Sequence, residues 1–178
     1  LCLKNKKILN ENLYKEIWKK YINEIENWKA NIRGVDLNLN YPAGWQNAVK
    51  NKAKKGINMP GPRDYPGPNP LSEIETKSMV NFTKLFNFDM TISLHSQGQE
   101  IYWNYLNYKV DNAYEIGKKL EKVSGYLLTK PDYYSSFAGY KDWFIENFKK
   151  PGYTIEIGKG KEGRPLPLED SDKIYEEV

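Results

Sequence analysis

Three places in the 178-residue sequence set polar or charged side chains where the surrounding pattern is apolar. They are Arg33 to Asn40 in NIRGVDLNLN, His95 to Gln99 in SLHSQGQEIYW, and Glu156 within YTIEIG. A buried charge without a partner is costly, so each interruption needs a physical reason. His95 is the chain's only histidine and follows the strand-like run DMTI. Its imidazole could be a satisfied core group, a general base, or one ligand of a metal whose other ligands lie elsewhere. In YTIEIG, alternation sets Tyr153, Ile155 and Ile157 on one face of a strand and Thr154 and Glu156 on the other. Taken singly, these residues favour plain roles: a solvent-facing Glu156, a core histidine, and a loop salt bridge or turn at Arg33 and Asp36.

The elements that must position them follow from periodicity and punctuation. Leu9, Leu13, Ile17, Tyr21 and Ile25 recur near helical spacing, which predicts an amphipathic helix from Asn10 to about Glu24. NWKANIRGVDLNLNYPAGW reads as a short strand flanked by loops. NMPGPRDYPGPNP carries too many prolines and glycines for helix or sheet ladder, and the charged and aromatic residues among them favour an ordered surface loop over a linker. A helix over about 72 to 86 follows, with Ser72 and Glu75 spaced as a capping box and Ile74, Met79, Phe82 and Leu85 as its buried stripe. FDMTISLHS then reads as a buried strand, Asn112 to Ser124 as a helix, AGYKDWFIENFKK as a helix stopped by Pro151 and Gly152, and YTIEIG as a strand. Helices alternating with apolar strands predict an α/β fold, in which functional side chains gather at strand ends and adjoining loops.

Composition narrows the class. With 39% apolar and 14% aromatic residues the chain is globular. Its 27 Lys and Arg against 23 Asp and Glu leave only +4, and the lysines are dispersed, so no nucleic-acid partner is expected. No apolar run approaches the roughly 20 residues of a membrane span. A lone cysteine, Cys2, excludes an internal disulfide and weighs against a Cys-based zinc site. The opening LCLKNKKIL has no initiator Met and no signal-peptide pattern, and reads as the middle of a longer protein.

Taken in order, WKANIRGVDLNLNYPAGW, SLHSQGQEIYW and SSFAGYKDWFIENFKKPGYTIEIG resemble successive motifs of the zinc carboxypeptidase family, the carboxypeptidase A-like metallopeptidases. Within it the likeness is strongest to the bacterial γ-D-glutamyl-L-diamino acid endopeptidases, which cut peptidoglycan stem peptides. The resemblance runs from about Trp28 to Pro167. It implies an α/β fold with a mixed sheet and helices on both faces, zinc as cofactor, and a role for each island. His95 matches a zinc ligand at a strand end, and Glu156 matches the catalytic glutamate. Arg33 matches the arginine that stabilises the oxyanion, Asp36 the carboxylate behind another zinc-ligating histidine, and Asn38 an asparagine that helps hold substrate. Those residue types suit the chemistry: zinc lowers the pKa of a water towards about 7, a carboxylate relays its proton, and a fixed cation stabilises the developing alkoxide.

The pattern departs from the carboxypeptidases at two positions. Leu39 stands where they carry an arginine for the substrate's free C-terminal carboxylate, a bidentate task leucine cannot perform. Ile145 stands where they carry a mobile tyrosine. Both changes weaken an exopeptidase reading and fit cleavage beside a diamino acid, diaminopimelate, inside a stem peptide. Specificity would then fall to Gln97, Gln99, Tyr102 and Trp103 after the histidine and to Ser135, Phe137 and Tyr140 before KDW, with Arg63 of the proline-rich loop facing a substrate carboxylate. Trp103 and Trp143 are more often packing anchors than ligand platforms.

The family's His-x-x-Glu zinc motif is absent. Residues 1–178 are therefore expected to form part of a metallopeptidase catalytic domain, its C-terminal half to two-thirds, inactive alone. An exposed sheet edge would favour self-association. From a different class, a non-catalytic muropeptide-binding module would keep the cleft without the metal.

Overall fold

A computed structural model describes residue 25, residues 28–160 and residues 165–178. The helix expected over Asn10 to Glu24 lies outside the described residues. The helices described are α1 (Trp45–Lys54), α2 (Ile74–Phe86), α3 (Ala113–Ser124), α4 (Tyr140–Phe148) and α5 (Ser171–Glu177). The strands are β1 (Thr91–Ser96), β2 (Glu100–Tyr102), β3 (Leu127–Thr129) and β4 (Gly152–Ile157), joined in the order β1-β4-β2-β3. β1 runs parallel to β4, β2 antiparallel to β4, and β3 parallel to β2, so the sheet is mixed. β4 is thus an interior strand, which is why its alternation does not send Glu156 to open solvent.

Helices cover both faces. A Cβ on Gly152 would lie 3.3 Å from Ile145 and 3.4 Å from Phe144, so the glycine lets α4 lie close against that face of β4. Tyr153, on the opposite face, donates its hydroxyl to the Ala113 carbonyl at 2.6 Å and packs with Ile116 and Leu120 of α3. The core is accordingly divided: Trp143, Phe144 and Ile145 gather with Tyr41, Tyr105 and Phe137 on the α4 side, and Ile101, Tyr126, Tyr153 and Ile155 on the α3 side. Trp143 is a packing anchor, and Ile145 is buried in the same core.

Two local expectations about α2 are corrected. Its N-cap is Glu73, without a side-chain cap bond, so Ser72 and Glu75 form no capping box. Instead Ser72 Oγ donates to Glu73 at 2.7 Å and accepts from Asn40 Nδ2. The expected buried stripe faces outward: Ile74 is 71% exposed, Met79 44%, Phe82 49% and Leu85 78%. The inward row is Thr76, Val80 and Thr83. Polar demand sets this rotation, because the Thr76 hydroxyl bonds Asn40 at 2.8 Å and the Thr83 hydroxyl bonds Tyr140 at 2.9 Å. Both partners lie largely out of water, where unmet hydrogen bonds cost more than an exposed apolar row. The outward row joins Phe86, Phe88 and Met90 towards the exposed Ile92 and Leu94 of β1, whose outer edge is unpaired among the described residues.

The short strand expected within NWKANIRGVDLNLNYPAGW is also corrected: among its described residues there is no strand, and residues 37–39 form a 3₁₀ turn. The proline-rich stretch is an ordered loop, as expected, and it holds that turn. Asp36 N–H donates to Tyr65 at 2.8 Å, Lys29 and Ala30 N–H both donate to Pro62 at 3.0 Å, and Gly61 N–H donates to Gly34 at 3.1 Å.

Candidate active site

The register of three strands assembles the site. His95 of β1 stands opposite Glu156 of β4, and Glu100 of β2 stands opposite Glu156 from the other side. Directly paired residues project from one face of a sheet, so the three side chains form a row. Ser93, Thr154 and Tyr102 form the next row on the same face. His95 Nδ1 lies 3.7 Å from Glu156 Oε1, with both side chains partly shielded from solvent. Beside the row a cavity of about 500 Å³ is lined by His95, Ser93, Asn38, Leu37, Met79 and Tyr140, among others.

Electrostatics give each group a defined state. Burial lowers the His95 imidazole below its ordinary 6.5, helped by the charge of Lys29 and opposed by Asp36, so the ring is neutral at pH 7. A neutral imidazole is the form that ligates metal. Burial raises the Glu156 carboxyl to about 7, with Lys29 pulling it down and Glu100 pushing it up. A carboxyl poised there can both accept and return a proton near neutrality.

Asp36 is buried, pairs with Lys29 Nζ at 2.7 Å, and accepts the Asp64 N–H at 3.2 Å. Asn38 lies in the 3₁₀ turn and accepts the Tyr140 N–H at 3.1 Å, which places both at the cavity. Tyr102 donates its hydroxyl to Glu100 at 2.5 Å. Gln97 follows His95 through a cis Ser96–Gln97 peptide, and its side chain lies against Gly160.

Other candidates are not brought to this row. Arg33 is exposed and its Nε pairs with Glu73 at 3.3 Å. The cation whose field reaches both His95 and Glu156 is Lys29, four residues earlier. Arg63 points to Asp64 at 3.8 Å. Gln99 donates to Glu177 of α5 at 3.4 Å, and Ser135 is an exposed residue of a 3₁₀ turn. Phe137 is core. Trp103 packs edge-on against Tyr114, as a packing anchor should.

Three participants escaped the sequence reading. Lys29 sits inside the WKAN motif, and its charge acts on both His95 and Glu156. Glu100 would have followed from strand alternation backwards from Tyr102 once β2 was recognised. Asn40 is fully buried and joins the site turn to the proline-rich loop and α2 through Pro66, Asn69, Ser72, Glu73 and Thr76. Such a hub leaves no periodic signal.

The fit to a catalytic metal is incomplete. His95 offers one neutral imidazole, but no group of three or more His, Cys, Asp or Glu able to hold a metal exists among the described residues. One ligand does not make the three-ligand site of a catalytic zinc.

The chain is 38% identical over 161 residues to γ-D-glutamyl-L-diamino acid endopeptidase 1 of Lysinibacillus sphaericus, an alignment covering 90% of this chain and 39% of that protein. It thus spans about two-fifths of that relative's length. Its fold matches bovine thrombin-activatable fibrinolysis inhibitor with a TM-score of 0.60 at 24% identity, over 84% of this chain and 54% of that one. The fold also matches murein-tripeptide amidase MpaA from Escherichia coli O157 with a TM-score of 0.56 at 20% identity, over 83% and 56%. The sequence pattern of peptidase family M14, the zinc carboxypeptidases, matches residues 9–178, nearly the whole chain. The chain therefore belongs to the zinc carboxypeptidase family.

Proposed function

We propose that this chain is part of a zinc-dependent peptidase that hydrolyses the bond between γ-D-glutamate and a diamino acid, diaminopimelate, in peptidoglycan stem peptides. The observation that carries the reading is the pairing of a neutral His95 with a Glu156 held at about 7, on adjacent strands beside an open cavity. The 38% identity to an endopeptidase of that name supports the substrate class. Zinc, when bound, supplies the acidity that makes water nucleophilic near neutral pH. His95 contributes one ligand, with the remainder coming from outside the described residues.

The chain's own groups supply the proton traffic and the field. Glu156 accepts a proton from the attacking water and returns it to the departing amine, for which a value near 7 suits both directions. Lys29 supplies positive charge to the alkoxide that forms at the carbonyl carbon. Asp36 fixes Lys29 through their 2.7 Å ion pair, and Asn38, tied to Tyr140, presents its amide to the substrate backbone. Leu39, where carboxypeptidases keep a carboxylate-binding arginine, leaves room for a chain that continues.

The test is turnover of a γ-D-glutamyl-meso-diaminopimelate peptide by the full-length zinc-loaded protein. Hydrolysis that is lost on chelation and lost in Glu156→Gln is the expected result, with residues 1–178 alone giving none. Saturable binding of the peptide without hydrolysis by the full-length protein would replace the reading with that of a muropeptide-binding module.

A further inference from the structure

Glu100 is a second carboxylate on the catalytic face, and beyond its charge acting on Glu156 the proton chemistry gives it no task. It stands opposite Glu156 across an antiparallel pair, where Cβ atoms lie about 5 Å apart. Its carboxylate is held by the Tyr102 hydroxyl at 2.5 Å. Gly98 lies beside both acids: a Cβ built on it would lie 3.5 Å from Glu156 Cβ and 3.9 Å from Glu100 Oε2. Among the described residues Glu100 forms no ion pair, although Lys29, Arg33 and Lys141 are all paired with other carboxylates. A half-buried carboxylate with no ion pair of its own is a place where a cation would be favoured.

The proposed substrate brings such a cation. A diamino acid on the leaving side places one nitrogen in the bond that breaks and keeps a second, protonated amine at the far end of a short aliphatic chain. That ammonium cannot rest on Glu156 without disabling it as a base. We propose that Glu100, oriented by Tyr102, binds the free ammonium of the diamino acid and thereby selects diamino over monoamino residues at the leaving position. The inference rests on the endopeptidase reading above and names the group that makes it specific.

The test compares two peptides with the full-length zinc-loaded protein: γ-D-glutamyl-meso-diaminopimelate and its analogue γ-D-glutamyl-2-aminopimelate, which lacks the distal amine. A hydrogen bond between charged groups implies that the wild type prefers the first in kcat/KM on the order of 10- to 100-fold. Glu100→Gln should bring that ratio close to one while hydrolysis of the analogue persists, and Glu100→Asp should restore part of the preference. Equal losses on both peptides would assign Glu100 to Glu156 or to folding and overturn the inference. If the variant does not fold, equal kcat/KM for the two peptides in the wild type overturns it directly. Cleavage of neither peptide by the wild type would defeat the endopeptidase reading itself, and this inference with it.

Discussion

Replacing Asn40 by alanine tests whether the site turn is held by hydrogen bonds or merely by packing. The carboxamide donates to the carbonyls of Pro66 at 2.9 Å and Asn69 at 3.0 Å and to Ser72 Oγ at 3.0 Å, and it accepts from Glu73 N–H at 3.2 Å and Thr76 Oγ1 at 2.8 Å. Not all these partners would be orphaned. Pro66 keeps the indole N–H of Trp45, Asn69 keeps the Ser72 N–H, Ser72 keeps Glu73, and Thr76 keeps the Glu73 carbonyl. The Glu73 N–H alone loses its partner in a buried place. One orphaned donor costs about 1–3 kcal/mol and each of the four further bonds about 1 kcal/mol net, so a loss of roughly 5–7 kcal/mol is expected. That is a large share of the ~5–15 kcal/mol by which domains are stable. Urea unfolding followed by tryptophan fluorescence measures it, Trp45 being bonded to the same loop. Asn40→Asp sharpens the test, because it keeps the volume but turns a carboxylate towards two carbonyls and should cost at least as much as alanine. A loss below about 1 kcal/mol for alanine, or near-neutral behaviour of aspartate, would refute the hydrogen-bond account.

Two further outcomes follow from the charges. Lys29→Met in the full-length zinc-loaded protein should lower kcat by on the order of 100-fold, the usual cost of losing an oxyanion donor, whereas Arg33→Met, which breaks only the pair with Glu73, should act mainly on stability; steady-state kinetics showing the reverse order would return the role to Arg33. Glu73 is buried, and although burial raises its carboxyl, the hydrogen bonds from Asn31 and Ser72 and the charges of Arg33 and Lys77 outweigh it and hold the group below its ordinary 4.5. Between those two values the unfolded chain binds more protons, so stability from Glu73 is complete above about pH 4.5 and drains away as pH falls through the folded value. The stability advantage of wild type over Glu73→Gln in urea should therefore shrink on acidification below pH 4.5; an advantage that stays constant or widens would contradict the sign.

What local chemistry writes into a chain was legible here without coordinates. The periodicity of 113–124, the Pro151-Gly152 stop and the β-branched run of β4 gave α3, α4 and β4 nearly at their observed limits. The residue types at His95 and Glu156 marked them against their apolar strands, and motif order tied them to a family before any distance was known. Sequence could not say which face of α2 turns inward, because that is decided by hydroxyl partners on Asn40 and Tyr140, far away along the chain. Nor could it say which of Lys29 and Arg33, two cations in one motif, lies within reach of His95 and Glu156, since that depends on where the proline-rich loop pins the turn. The three-residue strands β2 and β3 are too short for a period, and they exist because β4 and Gln99 offer them partners. Glu100 acquires its meaning from that pairing alone: in sequence it is a charged residue after a glycine turn, and only the antiparallel register sets it beside Glu156.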